Sequence, residues 1–300
     1  MATIHWLGAG LSSAPGIRRL AGGEQPVVLW NRTLAKARQL ADELPALQVR
    51  GFDPAALAAA VHPGDIVVSM LPADWHPRVA RLAIDRGAHF VSSSYIAPEL
   101  RSLDVEARRR GLCLVNEVGL DPGIDHLMAH VLVEQYRASA CCSDDNTLAF
   151  RSYCGGFPAT PNDFRYKFSW SPLGVLRALK SPARCISEGS ELEVQRPWHA
   201  ITPYNARLPG GNESFEAYPN RDSLPFIQQY HFEPGWQVTE FVRGTLRLEG
   251  WSSAWEPLFN EIEQLHGAEG EARLVAISDE LWRDYQYDEG EPDRVVLAVE

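Results

Sequence analysis

The segment Asn116-Glu117-Val118-Gly119-Leu120-Asp121-Pro122-Gly123-Ile124-Asp125-His126 sets a carboxylate, Asp121, against a rigid Pro-Gly bend at the expected start of a helix. A carboxylate fixed at such a point can stabilise a charged amine, orient a substrate, or exchange a proton with it. It can also serve as a helix cap. Pro122 suits the first helical position, where its missing N–H costs nothing, which puts Asp121 at the capping position. Ile124, Leu127, Met128, Val131 and Leu132 then recur at helical spacing and predict one apolar face. His126 and His130, at i and i+4, offer a metal pair with Asp125 or Glu134. The HExxH pattern and a third ligand are lacking, so no metal site is expected.

The elements around this segment must place it beside something that binds. Thr3 to Leu7 reads as a buried strand, Gly8-Ala9-Gly10-Leu11-Ser12-Ser13-Ala14-Pro15 as a tight turn, and Gly16 to Leu20 as a helix, the order of a dinucleotide-binding fold. Gly8 permits the turn and Gly10 lets a pyrophosphate approach the backbone, with the helix N-terminus supplying free N–H donors. Ser13 stands where the fingerprint has its third small residue. A second strand, Val27 to Trp30, ends at Asn31-Arg32-Thr33, where an NAD-binding chain carries an acid for the ribose 2′-hydroxyl. A neutral Asn followed by a cation and a hydroxyl suits a 2′-phosphate, so NADP is expected. Arg32 as an ordinary surface residue at a helix start is the alternative.

Helix-forming Leu34 to Leu44, strands Asp65 to Pro72 and His89 to Tyr95, a crossover helix His76 to Arg86 and a strand Leu112 to Val115 continue the alternation, as parallel strands buried on both faces do. Ligands bind outside the carboxyl ends of such strands. Gly8, Gly10, Leu71, Pro72, Ser94, Tyr95 and the span 117–121 should therefore converge on one crevice. From Thr147 the pattern changes. Thr147 to Cys154, Arg165 to Trp170 and Gln237 to Leu248 read as strands of an antiparallel sheet, and Pro172 to Lys180, Asp222 to Tyr230 and Trp251 to His266 as helices. The span 188–211 reads as loop without assigned function. The acidic stretch after His266 closes on a strand-like Arg294 to Val299.

The fold expected is α/β: a Rossmann-type parallel-sheet domain over 1–121 binding NADP, then an α+β substrate-binding and dimerisation domain over 122–300. The chain of 300 residues, 45% hydrophobic and 22% charged, has the composition of an ordinary globular protein. A net charge of −11 disfavours nucleic acid and anionic membranes as partners. No apolar run approaches the roughly 20 residues of a membrane span. Met1 to Leu7 lacks the basic start of a signal peptide, so a cytoplasmic location is expected. Five cysteines, Cys113, Cys141, Cys142, Cys154 and Cys185, form no CxxC pair and read as free thiols.

Asn116 to His126, the Gly8-Ala9-Gly10 turn ending at Pro15, Asn31-Arg32-Thr33, Ser93-Ser94-Tyr95-Ile96 and Ser152-Tyr153-Cys154-Gly155-Gly156 together resemble saccharopine dehydrogenase of the NADP-dependent, glutamate-forming type. Lys167 to Leu176, Tyr218 to Leu224 and Arg243 to Arg247 extend the resemblance over roughly residues 1 to 250. It implies reversible conversion of saccharopine, NADP and water to glutamate and aminoadipate semialdehyde, in lysine metabolism, by a homodimer. Carboxynorspermidine dehydrogenase is a neighbouring reading, and a catalytically weak NADP-binding protein a third. The resemblance implies cofactor contacts from Gly8, Gly10, Leu11, Ser12, Ser13, Asn31, Arg32, Thr33, Leu71, Pro72, Ser94, Leu120, Pro122 and Val175.

It further implies a dicarboxylic amino-acid substrate bound between the two domains, with Ser94, Tyr95, Asp121, Arg221, Arg243, Gly244 and Thr245 around it. Arginine suits carboxylates. Arg221, placed at a helix start, is the first choice and Arg243 the second, the alternative for either being a structural pair, with Asp222 an obvious partner for Arg221. Asp121, Tyr95 and Cys154 are the titratable residues that the resemblance puts near the substrate. Asp121 is expected to stabilise a charged amine or imine, and Cys154 to act as a polar wall residue. In the resembled enzymes the chain continues from a strand such as 294–299 back to the nucleotide domain, so this chain is expected to stop before that return.

Overall fold

The computed structural model describes residues 1–10, 12–288 and 291–300, which form two compact units, Met1–Ile124 and Asp125–Glu300. In the first unit β1 (Ile4–Leu7), α1 (Ala14–Ala21), β2 (Val27–Asn31), α2 (Leu34–Asp42), β3 (Gln48–Gly51), α3 (Pro54–Ala60), β4 (Ile66–Ser69), α4 (His76–Asp85), β5 (His89–Ser92), α5 (Pro98–Arg101), α6 (Asp104–Arg109) and β6 (Leu114–Val115) alternate along the chain. The six strands are all parallel, in the order β3-β2-β1-β4-β5-β6. The order reverses beside β1, so the loops after β1 and β4 flank the point where open α/β sheets hold ligands. One face of the sheet packs Leu7, Val67, Val79 and Phe90 and the other Trp6, Ile17, Leu29 and Leu40. Burial on both faces is what makes these strands short and continuously apolar.

A buried polar knot closes the amino end of this sheet. Asp65 accepts hydrogen bonds from the backbone N–H of Thr3 and of His62, each at 2.8 Å, and lies 3.2 Å from His5 Nε2. Trp30 Nε1 donates to His5 Nδ1 at 3.2 Å, so His5 carries its proton on Nε2 and donates it to Asp65. Burial alone would raise the Asp65 pKa; the two backbone N–H groups and His5 outweigh it and hold the carboxyl below its ordinary value. Such a group adds stability above its unfolded-state pKa, and that stability is lost as the pH falls through the lower folded-state value. Asp65→Ala is therefore expected to lower the unfolding free energy by about 3 kcal/mol at neutral pH. In urea titrations the gap to the parent chain should narrow below about pH 4.

The second unit comprises α7 (Ile124–Ala138), β7 (Thr147–Pro158), α8 (Pro172–Lys180), β8 (Ala183–Ser187), β9 (Ser190–Val194), β10 (Thr202–Leu208), β11 (Gly211–Pro219), α9 (Pro225–Gln229), β12 (Gln237–Leu248), α10 (Trp251–Glu263), α11 (Gly267–Tyr285) and β13 (Asp293–Val299). Its sheet runs β10-β11-β12-β7-β13, with β8 and β9 attached through β12. It is mixed rather than purely antiparallel, because β7 and β12 are parallel. An aromatic core of Tyr166, Phe168, Trp251, Trp255 and Phe259 packs with α8 and α11.

Several elements differ from expectation or add to it. Residues 165–170 form no strand, since only Phe168 makes a bridge, to Gln286. The span 188–211 holds strands rather than open loop, because Glu188 and Gly189 both take positive φ and turn β8 into β9 within two residues. The acidic stretch after His266 includes the nineteen-residue helix α11. On α7 the buried residues are Asp125, Ala129 and Val133, whereas Leu127 is 66% and Val131 55% exposed. The apolar face expected on this helix is thus exposed at Ile124, Leu127, Met128 and Val131. No helix among the described residues is long and apolar enough to cross a membrane.

Candidate active site

The turn after β1 is shaped by two close approaches. Gly8 has φ +102°, and a Cβ there would lie 3.0 Å from the Met70 carbonyl oxygen, so the loop after β4 can pass this near only to glycine. Gly16 does the work of the fingerprint's third small residue: a Cβ on it would stand 2.6 Å from the Trp6 ring. Helix α1 consequently lies close on β1 through Gly16, not Ser13, and the Gly16-Trp6 contact has no counterpart in the motif spacing. Ser13 is fully buried, and its Oγ makes no hydrogen bond among the described residues. Ser12 is exposed on the same turn, and Leu11 lies outside the described residues.

Asn31 binds the turn to the end of β2. Its Oδ1 accepts from the Ala9 N–H at 3.0 Å and its Nδ2 donates to the Thr33 carbonyl at 2.9 Å, so its amide shapes the loop. Arg32 is exposed and makes no ion pair among the described residues; Thr33, at the cap of α2, makes no side-chain capping bond. An orphaned buried hydroxyl, a bare glycine backbone at Gly10, and an uncommitted cation beside a hydroxyl fit a dinucleotide carrying a 2′-phosphate. Leu71 lies 3.6 Å from the position of a Cβ on Gly8, and Pro72 is exposed beyond it.

Residues 116–124 differ from expectation at the helix start. The Asp121-Pro122 peptide is cis, and both residues belong to a turn ahead of α7. Helix α7 begins at Ile124, so Pro122 is buried in the turn rather than at the first helical position. Gly119 and Gly123 form a bridge, and the Ile124 N–H donates to the Gly119 carbonyl at 3.0 Å. At Gly123, φ +150°, a Cβ would fall 2.1 Å from that same carbonyl oxygen, so the loop requires glycine there. Asn116 accepts from Ser92 Oγ at 2.8 Å, and Glu117 accepts from the Ile96 N–H at 3.1 Å. These bonds tie the loop to the end of β5. The Tyr95 hydroxyl donates to Asp121 Oδ1 at 2.7 Å and fixes the direction of the carboxylate. Tyr95 and Asp121 are thus brought together across 26 residues of sequence. Leu120 is exposed at the tip of the loop.

In the second unit the parallel register sets Cys154 beside Thr245, Tyr153 beside Gly244 and Ser152 beside Arg243. A Cβ on Gly244 would meet the Tyr218 carbonyl at 2.4 Å and the Tyr153 ring at 2.7 Å, so its small size serves packing. Arg221 is not at a helix start. It takes φ +57° in the loop before α9, where its carbonyl accepts from the Arg184 N–H at 2.8 Å. Asp222 is committed to Arg184, at 3.1 Å, and to the Leu224 N–H, at 3.0 Å.

Arg243, 6% exposed, pairs with Asp125, and its guanidinium lies 4.0 Å over the Phe226 ring. The structural pairing weighed for it therefore exists, with a partner that periodicity hides: Asp125 shares the buried face of α7 with Ala129 and Val133. His126 stacks on Phe226 and lies 2.7 Å from the Tyr230 hydroxyl through Nδ1, while His130 packs against the Tyr230 and His231 rings. Val175, expected as a cofactor contact, lies in the second unit on α8. At 2% exposure it is enclosed by the core around Leu176, Leu179 and Trp251.

Residues 4–115 match the saccharopine dehydrogenase NADP-binding domain, and residues 119–300 the saccharopine dehydrogenase C-terminal domain. The chain is 37% identical over 256 residues to saccharopine dehydrogenase [NADP(+), L-glutamate-forming] of Pyricularia oryzae, spanning 83% of this chain and 55% of that protein. It is 39% identical to the enzyme of the same name from Saccharomyces cerevisiae, over 81% of this chain and 54% of that protein. The chain thus spans about half the length of these relatives. A solved structure of the apo, histidine-tagged L-Glu-forming saccharopine dehydrogenase from Saccharomyces cerevisiae superposes with a TM-score of 0.78 at 29% identity, covering 99% of this chain and 80% of that one.

Proposed function

The chain belongs to the saccharopine dehydrogenase family, and on that premise we propose that it is an NADP-dependent oxidoreductase acting on the CH–NH bond of saccharopine. The products are glutamate and aminoadipate semialdehyde, in a reversible step of lysine metabolism. The observation that carries this reading is the Tyr95-Asp121 hydrogen bond at the carboxyl end of the parallel sheet. It directs a carboxylate where the family's reaction develops charge on nitrogen.

The first unit is assigned the cofactor. The turn at Gly8, Gly10 and Ser13 would hold its pyrophosphate, and Arg32 with Thr33 its 2′-phosphate. NADP, when bound, supplies hydride acceptance and return. Asp121 stabilises the charged amine and holds the substrate's orientation, Tyr95 fixes Asp121, and Ser94 offers its hydroxyl to the substrate. The second unit is assigned the substrate carboxylates through Arg221, whose planar guanidinium suits bidentate recognition. Cys154, beside Thr245, is assigned as a polar wall residue. Consumption of NADPH with glutamate plus aminoadipate semialdehyde tests the assignment; absence of turnover while NADPH still binds would refute it.

A homodimer and a cytoplasmic location belong to the same proposal. The exposed stripe Ile124, Leu127, Met128 and Val131 supports the first, and five free thiols support the second. Light scattering should give twice the chain mass, falling to one chain mass for Leu127→Glu with the far-UV spectrum retained. A monomeric parent chain would overturn the dimer.

A further inference from the structure

His76, the first residue of α4, is 2% exposed and spans two serines from two different strand ends. Its Nδ1 lies 3.0 Å from Ser69 Oγ, on the last residue of β4, and its Nε2 lies 2.8 Å from Ser94 Oγ, just beyond β5. Burial holds the imidazole below its ordinary pKa, with Asp74 pulling the other way, so it is neutral at physiological pH. A neutral imidazole has one donor and one acceptor nitrogen. Which is which decides what Ser94 presents to a ligand.

Ser69 settles the direction. It is fully buried, and His76 is its one side-chain hydrogen-bond partner among the described residues. If Nδ1 carried the proton, Ser69 would accept it and its own hydroxyl proton would be buried with no acceptor, at a cost of about 1–3 kcal/mol. With the proton on Nε2, Ser69 donates to Nδ1 and nothing is orphaned. Nε2–H then donates to Ser94 Oγ, and the Ser94 hydroxyl proton is turned away from His76.

Resting on the proposed function, in which Ser94 meets the substrate, we infer that His76 is a positioning residue that makes Ser94 a hydrogen-bond donor to an acceptor oxygen of saccharopine. The relay runs Ser69 to His76 to Ser94, each hydroxyl and ring nitrogen in one orientation, and the buried end has no second arrangement. The acceptor chemistry it selects is a carboxylate, which carries lone pairs and no proton at neutral pH.

Two substitutions separate the ends of the relay. Asn at 76 reaches towards Ser69 and abandons Ser94; Gln reaches towards Ser94. His76→Asn should raise the saccharopine KM about tenfold, one charge-assisted hydrogen bond's worth, with NADPH affinity within about twofold of the parent. His76→Gln should recover most of that loss. In the Ser94→Ala background His76→Asn should have no further effect on KM, because the residue acts through Ser94; additive losses would show a merely structural role and overturn the inference. Long-range 1H–15N spectra of the parent chain report the tautomer without any turnover. An Nε2–H imidazole is expected, and an Nδ1–H or doubly protonated ring would overturn the relay. Failure of the parent chain to turn over saccharopine, by contrast, sinks the functional reading while the spectra still decide the relay.

Discussion

Asp121→Ala should lower turnover by about 10²–10³-fold, the loss typical of removing one directed electrostatic contact at a reacting centre. NADPH affinity and the unfolding midpoint should stay close to the parent values. The turn at 119–123 carries the Gly119-Gly123 bridge and the bond from the Ile124 N–H to the Gly119 carbonyl, both made by backbone atoms that the substitution leaves in place. Removing the carboxylate therefore strips charge while leaving the scaffold. Asp121→Asn keeps an acceptor for the Tyr95 hydroxyl and loses the charge, so it should lose nearly as much activity. Steady-state kinetics alongside fluorescence titration with NADPH separates the possibilities. Full activity in Asp121→Asn would show that only the hydrogen bond matters, and a collapse of folding in Asp121→Ala would return the residue to a structural role.

Arg32→Ala should weaken NADPH by about 10–100-fold and NADH by less than about twofold, as expected for a charge-assisted contact to a phosphate that NADH lacks. Arg32 is exposed and engages no carboxylate among the described residues, so its removal costs the folded chain little. Raising the salt concentration should narrow the difference between the two cofactors. Calorimetric titration of both dinucleotides reads this out. Equal losses for the two would contradict the assignment of Arg32 to the 2′-phosphate.

What could be read in advance follows from how local each signal is. The limits of α8 and β12 coincide with expectation, because Pro172 and the β-branched and aromatic run from Val238 to Leu246 mark them. The parallel first unit was legible in its apolar strands and the glycine turn, except for β3, whose largely exposed residues carry no apolar run. Pro122 misled because a Pro-Gly bend serves a helix start and a tight turn equally well; only the bridge between Gly119 and Gly123 decides between them. The Arg243-Asp125 pair was hidden because its partners lie 118 residues apart and Asp125 lies in a helix beside exposed apolar residues. Gly16 and the Ser69-His76-Ser94 relay were invisible because each is a side-chain fit between neighbouring elements with no periodicity to announce it.

Of the residues expected at the site, Gly8, Asn31, Leu71, Ser94 and Asp121 lie at or just beyond the carboxyl ends of parallel strands, a placement that the topology alone dictates. Val175 is different: a valine at helical spacing carries no mark of its own, and it is buried among Leu176 and Leu179.

The central claim is hydride transfer between NADP and the carbon beside nitrogen in saccharopine. The direct measurement supplies NADPH deuterated at the transferable position of its nicotinamide, together with glutamate and aminoadipate semialdehyde, and examines the product by mass spectrometry. Saccharopine should carry the deuterium on the carbon newly bonded to nitrogen. Unlabelled saccharopine, or none while deuterated NADPH is bound, would contradict it.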